Sequence, residues 1–357
     1  MRCRRVIDKI RLAFQKEKEN ERVNHKHIVR ALYKGFLHRE PEPGALEHWE
    51  AQLDGGLSLD RLTEIFLGTE EFSKIERKLT SLFVEPGHFY SPIVNVQNVR
   101  EQIEAINKNK PDQLPALRIS RDEHIVLWQR LLPYLREIPF PDDAAEGFRY
   151  YFNNPAFSYG DGSILYAMLR HFKPKKLVEI GSGYSSACAF DTIERYLGGN
   201  VEVSFVEPYP ELLLRLLGDK TAKSVDIHAC EIQKVGLELF TSLNAGDVLF
   251  IDSTHVMKTG SDVCHEMFEV LPALKPGVLI HFHDIFWPFQ YGAEWVLKQN
   301  RSWNEIYGLR AFLMYNEAFE VVFFNDYFVK KCRDTIQSDY PVMLKNSGGS
   351  IWLRKKY

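Results

Sequence analysis

Apolar residues recur about every four positions through the first quarter of the chain, then give way to short β-branched runs after about residue 150. Ile28, Leu32 and Phe36 make one stripe, and Leu46, Trp49 and Leu53 a second. That period reads as amphipathic helix. Between the stripes, Arg39-Glu40-Pro41-Glu42-Pro43-Gly44 is a turn, because its prolines and glycine break a helix. Gly55-Gly56 ends the second stripe. Ser58 is placed to cap a third helix carrying Leu62, Ile65 and Phe66, and Thr69 to cap a short fourth. The pattern predicts a small bundle over about residues 20–80.

The next stretch is mixed. Gly87-His88-Phe89-Tyr90-Ser91-Pro92 is aromatic and turn-like, and Val126, Arg130 and Tyr134, with Leu127 and Leu131, predict a helix ending near Pro139. Strands are then expected at 176–180, 202–206, 225–229, 247–251 and 278–283, with helices at 185–197, 210–217 and 261–274 between them. Strand and helix in alternation mean an α/β fold, a parallel sheet covered on both faces. Runs at 319–324 and 350–355 add edge strands. Three segments follow: 1–80, a small all-α domain; 81–147, a connector that packs on what comes next; and 148–357, the α/β domain.

Composition narrows the classes without changing this picture. With 357 residues, 45% hydrophobic and 26% charged, the chain is no disordered tail, collagen-like fibre or disulfide mini-protein. A net charge of -3 gives no basic footprint, so no nucleic-acid partner is expected. Residues 2–30 are the exception, with ten basic side chains against four acidic, read as a solvated amphipathic helix. The five cysteines are odd in number and include no CxxC pair. No apolar stretch approaches the roughly 18 residues of a membrane span, and no h-region of a secretory signal is visible. A cytoplasmic protein without a membrane span is expected.

The first predicted strand runs into Val178-Glu179-Ile180-Gly181-Ser182-Gly183-Tyr184-Ser185-Ser186. Glycines at a strand-to-helix turn let a ligand approach the backbone, and the helix N-terminus supplies N–H donors. A dinucleotide site wants G-x-G-x-x-G, but Ser186 stands at the last glycine position. A P-loop lysine is absent too. Glu179, at the strand end, repels a pyrophosphate. It suits a phosphate-free cation such as S-adenosylmethionine, which carries an ammonium and a sulfonium. Glu207, before Pro208 at the end of the second strand, is placed to accept both ribose hydroxyls.

With these residues in view, the segment 148–357 resembles the class I S-adenosylmethionine-dependent methyltransferases, in particular the methyltransferase-24-like family related to macrocin O-methyltransferases. The likeness rests on Phe157-Ser158-Tyr159-Gly160-Asp161, the glycine turn, Asp247–His255, Leu274-Lys275-Pro276-Gly277 and His283-Asp284-Ile285. It implies a Rossmann-like seven-stranded sheet with helices on both faces and its last strand, 350–355, antiparallel. It also implies that Gly181, Ser182, Gly183, Tyr184 and Ser185 line the methionine portion of the cofactor. Glu179 would meet the ammonium, Glu207 and Pro208 the ribose, and Gln233 the adenine. Tyr159 and Asp161 would close over the carboxylate end, and Asp252 would stand at the rim. Residues 20–80 resemble a phycobilisome-linker-like helical domain of unknown function, through Leu32-Tyr33, Phe36-Leu37, Gly44, Trp49 and Glu71-Phe72. That likeness implies docking of a protein partner, and a glycan context.

The reacting end lies beyond the carboxyl ends of the strands. The fourth strand delivers Asp252 and His255, and the fifth His281, His283 and Asp284. Residues two apart on a strand share a face, so His281 and His283 project together, with His281 expected in a packed layer. Methyl transfer to a hydroxyl needs a proton acceptor, and histidine suits it. The catalytic set is therefore His255 or His283 as base, with Asp284 or Asp252 orienting it. The acceptor is a hydroxyl on a glycan or a glycosylated small molecule. Two other readings use the same residues: a metal-dependent hydrolase or oxygenase built on His281, His283 and Asp284, and a non-catalytic nucleoside-binding adaptor. The macrocin-type likeness implies a divalent ion at Asp252, Asp262 and Asp284, but the spacing from Asp252 to Asp262 departs from that pattern and no metal is assigned. Of the aromatics after Asp284, namely Phe286, Trp287, Phe289, Tyr291, Trp295, Trp303 and Tyr307, most are expected in the core and some to cover the acceptor, with Arg310 placed to read an anionic group on it.

Overall fold

The computed structural model describes residues 25–80, 83–84, 86–108 and 111–357, so the basic run before His25 lies outside the described residues. By its contacts the chain forms two compact units that meet between Pro92 and Ile93.

Among the described residues the first unit holds helices His25–Leu37, Ala45–Asp54, Leu59–Leu67 and Glu70–Thr80. Ile28, Leu32 and Phe36 are buried on one face, with Tyr33 edge-on to Phe66 at 5.0 Å. Ser58 Oγ accepts the Arg61 N–H at 3.2 Å, and Thr69 Oγ1 accepts the Phe72 N–H at 3.1 Å. Each satisfies a donor that the helix start leaves unpaired. Arg39 reaches from the proline turn to Glu71 with two bonds, 2.6 and 2.8 Å, and so fixes the fourth helix to the first turn.

The second unit opens with helices Val96–Lys108 and Arg121–Leu135. The latter stops at Leu135, short of Pro139. Val126 is 52% exposed, while Leu127, Trp128, Leu131 and Leu135 are buried against the sheet domain. The Trp128 indole N–H donates to Asp339 at 2.9 Å, which fixes that face inward. The helix thus belongs to the same core as the sheet.

The sheet has seven strands: β1 Lys176–Ile180, β2 Glu202–Val206, β3 Asp226–His228, β4 Val248–Ile251, β5 Leu279–His283, β6 Phe319–Phe324 and β7 Ser350–Lys355. Their order is β3-β2-β1-β4-β5-β7-β6, with β7 antiparallel to both neighbours. Only β6 is an edge among the last two, so the expectation of two edge strands is corrected for 350–355. That run is almost wholly buried, as a strand flanked on both sides must be.

Alternation sorts the strands onto two faces. Leu177, Phe205, Phe250 and Trp352 pack on one side, and Val178, Ile180, Ile251 and Phe282 on the other. The helix expected over 261–274 is instead interrupted: Asp262–His265, a wide five-residue turn Glu266–Val270, then Leu271–Ala273. Such π-type turns re-aim side chains, and here Glu266 points inward, fully buried, to accept the Ser253 hydroxyl at 3.1 Å.

Candidate active site

The glycine turn is stitched to both neighbouring strands. Gly181 N–H donates to Val206 O at 3.0 Å, and Asp252 N–H to Ile180 O at 2.9 Å. Gly181 has φ +75°, and a Cβ there would lie 1.9 Å from Asp252 O, so only glycine fits. Helix Tyr184–Tyr196 starts directly after, and Ser186 Oγ accepts the Gly183 N–H at 3.1 Å. The serine that breaks the dinucleotide pattern therefore secures the turn itself.

Acids flank this turn. Glu207 Oε2 accepts the Ser182 N–H at 3.0 Å and its hydroxyl at 3.2 Å, while Oε1 accepts the Tyr209 N–H at 2.9 Å. Glu179 is 1% exposed and accepts the Ser185 hydroxyl at 2.5 Å. Burial pushes its carboxyl up to about 8, with Asp252 and Glu207 adding to the rise and the serines opposing it. Tyr184 meets Tyr151, hydroxyl to hydroxyl, at 3.4 Å. Gln233 Nε2 donates to Gly260 O at 2.8 Å, joining the loops after β3 and β4. Tyr159 stands apart from the turn: it opens helix Tyr159–Phe172, stacks on Phe152 at 4.8 Å and donates to Asp142 and Asn153.

A second cluster lies at the ends of β4 and β5. His255 and Asp284 both adopt left-handed backbone, φ +60° and +57°, which costs a residue with a Cβ and needs support around it. For His255 the support is explicit. Its carbonyl accepts the N–H groups of Asn304 and Glu305 at 3.0 and 3.1 Å, its ring lies 4.4 Å from Trp303, and its Nδ1 is 2.8 Å from Glu305 Oε2. Nε2 then faces Asp252 at 3.4 Å and Asp284 at 3.5 Å. Burial works against a charged imidazole, but the bonds to Asp252 and Glu305 outweigh it and raise His255 to about 11. His255 is therefore a cation held among three carboxylates.

A group that keeps its proton to such a pH does not accept another at neutrality, which weighs against His255 and toward its neighbours as the base. His283 is buried, and burial alone would lower it; Asp252, Asp284 and Asp161 raise it instead. Burial raises the Asp284 carboxyl, with His283, His255 and Arg301 pulling it back. Asp252 is held below its ordinary value by His283 and His255 in spite of burial. Asp161 accepts the Gly349 N–H at 3.1 Å and Asn325 Nδ2 at 3.2 Å, and burial raises it to about 6. It thus ties the start of helix Tyr159–Phe172 to β7 and faces His283.

His281 shares the face of His283, their rings 5.9 Å apart, but it stacks on Phe250 at 3.9 Å and meets Trp352 edge-on. Burial lowers it far below the ordinary histidine range. It is a ring packed between Phe250 and Trp352. The acids do not fit a divalent ion as they stand. The His255 ring lies between Asp252 and Asp284, and Asp262 is taken by the Thr254 N–H and hydroxyl at 3.0 and 2.6 Å. Among the described residues no group of three or more His, Cys, Asp or Glu is arranged to hold a metal. No helix among them is long and apolar enough to cross a membrane.

Glu305, Asn304 and Glu266 were not expected at the site. Glu305 lies 50 residues after His255, and no spacing rule connects the two. Glu266 is aimed inward only by the π-type turn.

The methyltransferase domain family matches residues 178–285, and a domain of unknown function (DUF4214) matches residues 13–75. An uncharacterised protein of Archaeoglobus fulgidus is 30% identical over 174 residues, covering 47% of this chain and 77% of that protein. Among solved structures, the Podospora anserina methyltransferase PaMTH1 is 16% identical and covers 73% of this chain and 97% of its own, with a TM-score of 0.35. The O-methyltransferase TomG from Streptomyces achromogenes is 12% identical, covers 74% and 100%, and gives 0.37. The glycine turn, Glu207, Asp252 and Asp284 all fall inside the matched segment or at its end, on a sheet whose last strand is antiparallel, and the chain belongs to the methyltransferase family.

Proposed function

We propose that this protein transfers a methyl group from S-adenosylmethionine to a hydroxyl of a small-molecule or glycan acceptor. The observation that carries the reading is the pair of acids at the glycine turn: Glu207, bonded to Ser182 at the end of β2, and Glu179, a buried carboxyl that a cationic ligand would ionise. Glu207 is the residue to hold the ribose hydroxyls beside Pro208, and Glu179 the cofactor's ammonium. Residues 181–185 bound the methionine portion and Gln233 the adenine. S-adenosylmethionine held there would supply an electrophilic methyl to a hydroxyl oxygen, its thioether sulfur leaving with the electron pair of the carbon–sulfur bond. Asp284 takes the hydroxyl proton. His255, cationic, and His283, raised by the same acids, orient Asp252 and Asp284 and offset their charge. Residues 13–75 fit a docking module for a protein partner, and the glycan acceptor and a cytoplasmic setting belong to the same reading.

Calorimetric titration with S-adenosylmethionine tests it. Wild type is expected to bind, and Glu207→Ala to bind about ten- to a hundredfold more weakly, as loss of hydrogen bonds to a charged group implies. Absent wild-type binding, or equal affinity in the variant, would sink the reading. Activity lost to a chelator and restored by magnesium would overturn the arrangement in which His255 separates the two acids.

Proton linkage gives a second expected result. Glu179 holds a proton at pH 7 in the free protein, and contact with an ammonium favours its ionised form. Binding should therefore release protons near pH 7, and affinity should rise with pH until about 8 and then level off. Titrations in buffers of different ionisation enthalpy read this directly; Glu179→Gln should abolish the release.

A further inference from the structure

The chain reverses at Asn300, φ +51°, and the Arg301 N–H donates to Trp295 O at 2.9 Å. The reversal brings the Arg301 guanidinium 4.5 Å from the ring centroids of both Trp295 and Trp303. Two indoles thus fix its position while leaving its hydrogen-bond donors unused. Among the described residues no carboxylate pairs with it. The two lysines that line the cavity beside Trp295 are engaged: Lys330 bonds Asp326 at 2.7 Å, and Lys331 bonds Asp112 at 2.6 Å.

The surroundings connect this arginine to the reacting end. Trp303 touches the His255 ring, and the Arg301 charge is among those that pull the Asp284 carboxyl down. Trp295 also lines a cavity of about 1160 Å³, together with Phe286 and Trp287, which follow Asp284 by two and three residues. Such a space is somewhat larger than the usual site for a bound small molecule, about 300–1,000 Å³. The half-buried guanidinium feels the Asp284 charge but bonds no carboxylate, so its donors are free for a ligand. Its planar fork matches a carboxylate or a phosphate with two parallel bonds.

We propose that Arg301 reads an anionic group, carboxylate or phosphate, on the acceptor, separate from the hydroxyl that is methylated. The proposal rests on the methyl-transfer reading. Trp295 and Trp303 hold the guanidinium in place, and the body of the acceptor occupies the cavity beside them. Arg301 acts on substrate choice and takes no part in the bond exchange.

The test uses the full chain, methyl-labelled S-adenosylmethionine and a deproteinised small-molecule extract of the source organism. The labelled product is expected to stay on an anion exchanger at pH 7. Elution at about pH 2 identifies a carboxylate, which protonates there, and continued retention a phosphate. With the acceptor purified in this way, Arg301→Gln should raise its KM about tenfold or more while cofactor affinity is unchanged. Arg301→Lys, which keeps the charge without the fork, should fall between. Label in the flow-through at pH 7, or an unchanged KM in Arg301→Gln, overturns the proposal. A wild type that fails to bind S-adenosylmethionine in calorimetry sinks the methyl-transfer reading and the proposal with it, and that result is read separately.

Discussion

Asp284→Asn is expected to lower kcat by about 10²–10⁴-fold, the usual contribution of a positioned proton acceptor, with S-adenosylmethionine still bound. Asp284 follows β5 directly, in a backbone conformation that an aspartate adopts only under constraint. Its carboxylate lies 3.5 Å from the His255 imidazolium and 3.6 Å from His283. Asparagine preserves size and removes only the capacity to take a proton. The pH profile separates Asp284 from the histidines. With Asp284 as acceptor, the rate rises as its carboxyl ionises and then levels off. A rate that climbed steadily toward pH 11 would point to deprotonated His255 and would remove Asp284 from the role.

The second large effect is on stability. Glu305→Ala should destabilise the protein by about 3–5 kcal/mol, because it strips one partner from a buried ion pair and leaves the other without compensation. Glu305 is 1% exposed and bonds His255 at 2.8 Å. Urea denaturation of the variant and of Glu305→Gln measures this, with glutamine expected to lose less because it still offers an oxygen to Nδ1. Wild-type stability should itself fall as pH rises. His255, raised from 6.5 to about 11, and Glu179, raised from 4.5 to about 8, both hold protons more tightly folded than unfolded. The folded state therefore binds more protons across those windows, and stability is lost as pH rises through them. The His255 contribution is fully present below 6.5 and gone above about 11. A urea midpoint that increased between pH 7 and 10 would contradict the charged-histidine cluster.

Much of this architecture was legible in the amino acids. Period and caps located the first helices, since Ser58 and Thr69 act over three residues and their geometry is local. The glycine turn and its acids were legible for a similar reason: backbone conformation at Gly181 and strand ends two elements apart leave short, readable marks. The anchor of helix Arg121–Leu135 was not, because the Trp128 indole bonds Asp339, 211 residues away. The interior place of 350–355 was hidden likewise, for strand order depends on which edge a late segment finds. Candidate histidines were found, but their charge was not. It depends on Glu305, which approaches from a distant loop.

The loop that grips His255, Trp303 to Glu305, lies beyond the matched family segment, which ends at residue 285, one position after Asp284. The glycine turn, Glu207, Asp252 and Asp284 fall within that segment. The acids at the strand ends therefore draw part of their rigidity from outside it, through Glu305 and the His255 ring. Exchanging 286–313 as a block should disturb the geometry of Asp252 and Asp284 unless a carboxylate stands where Glu305 does.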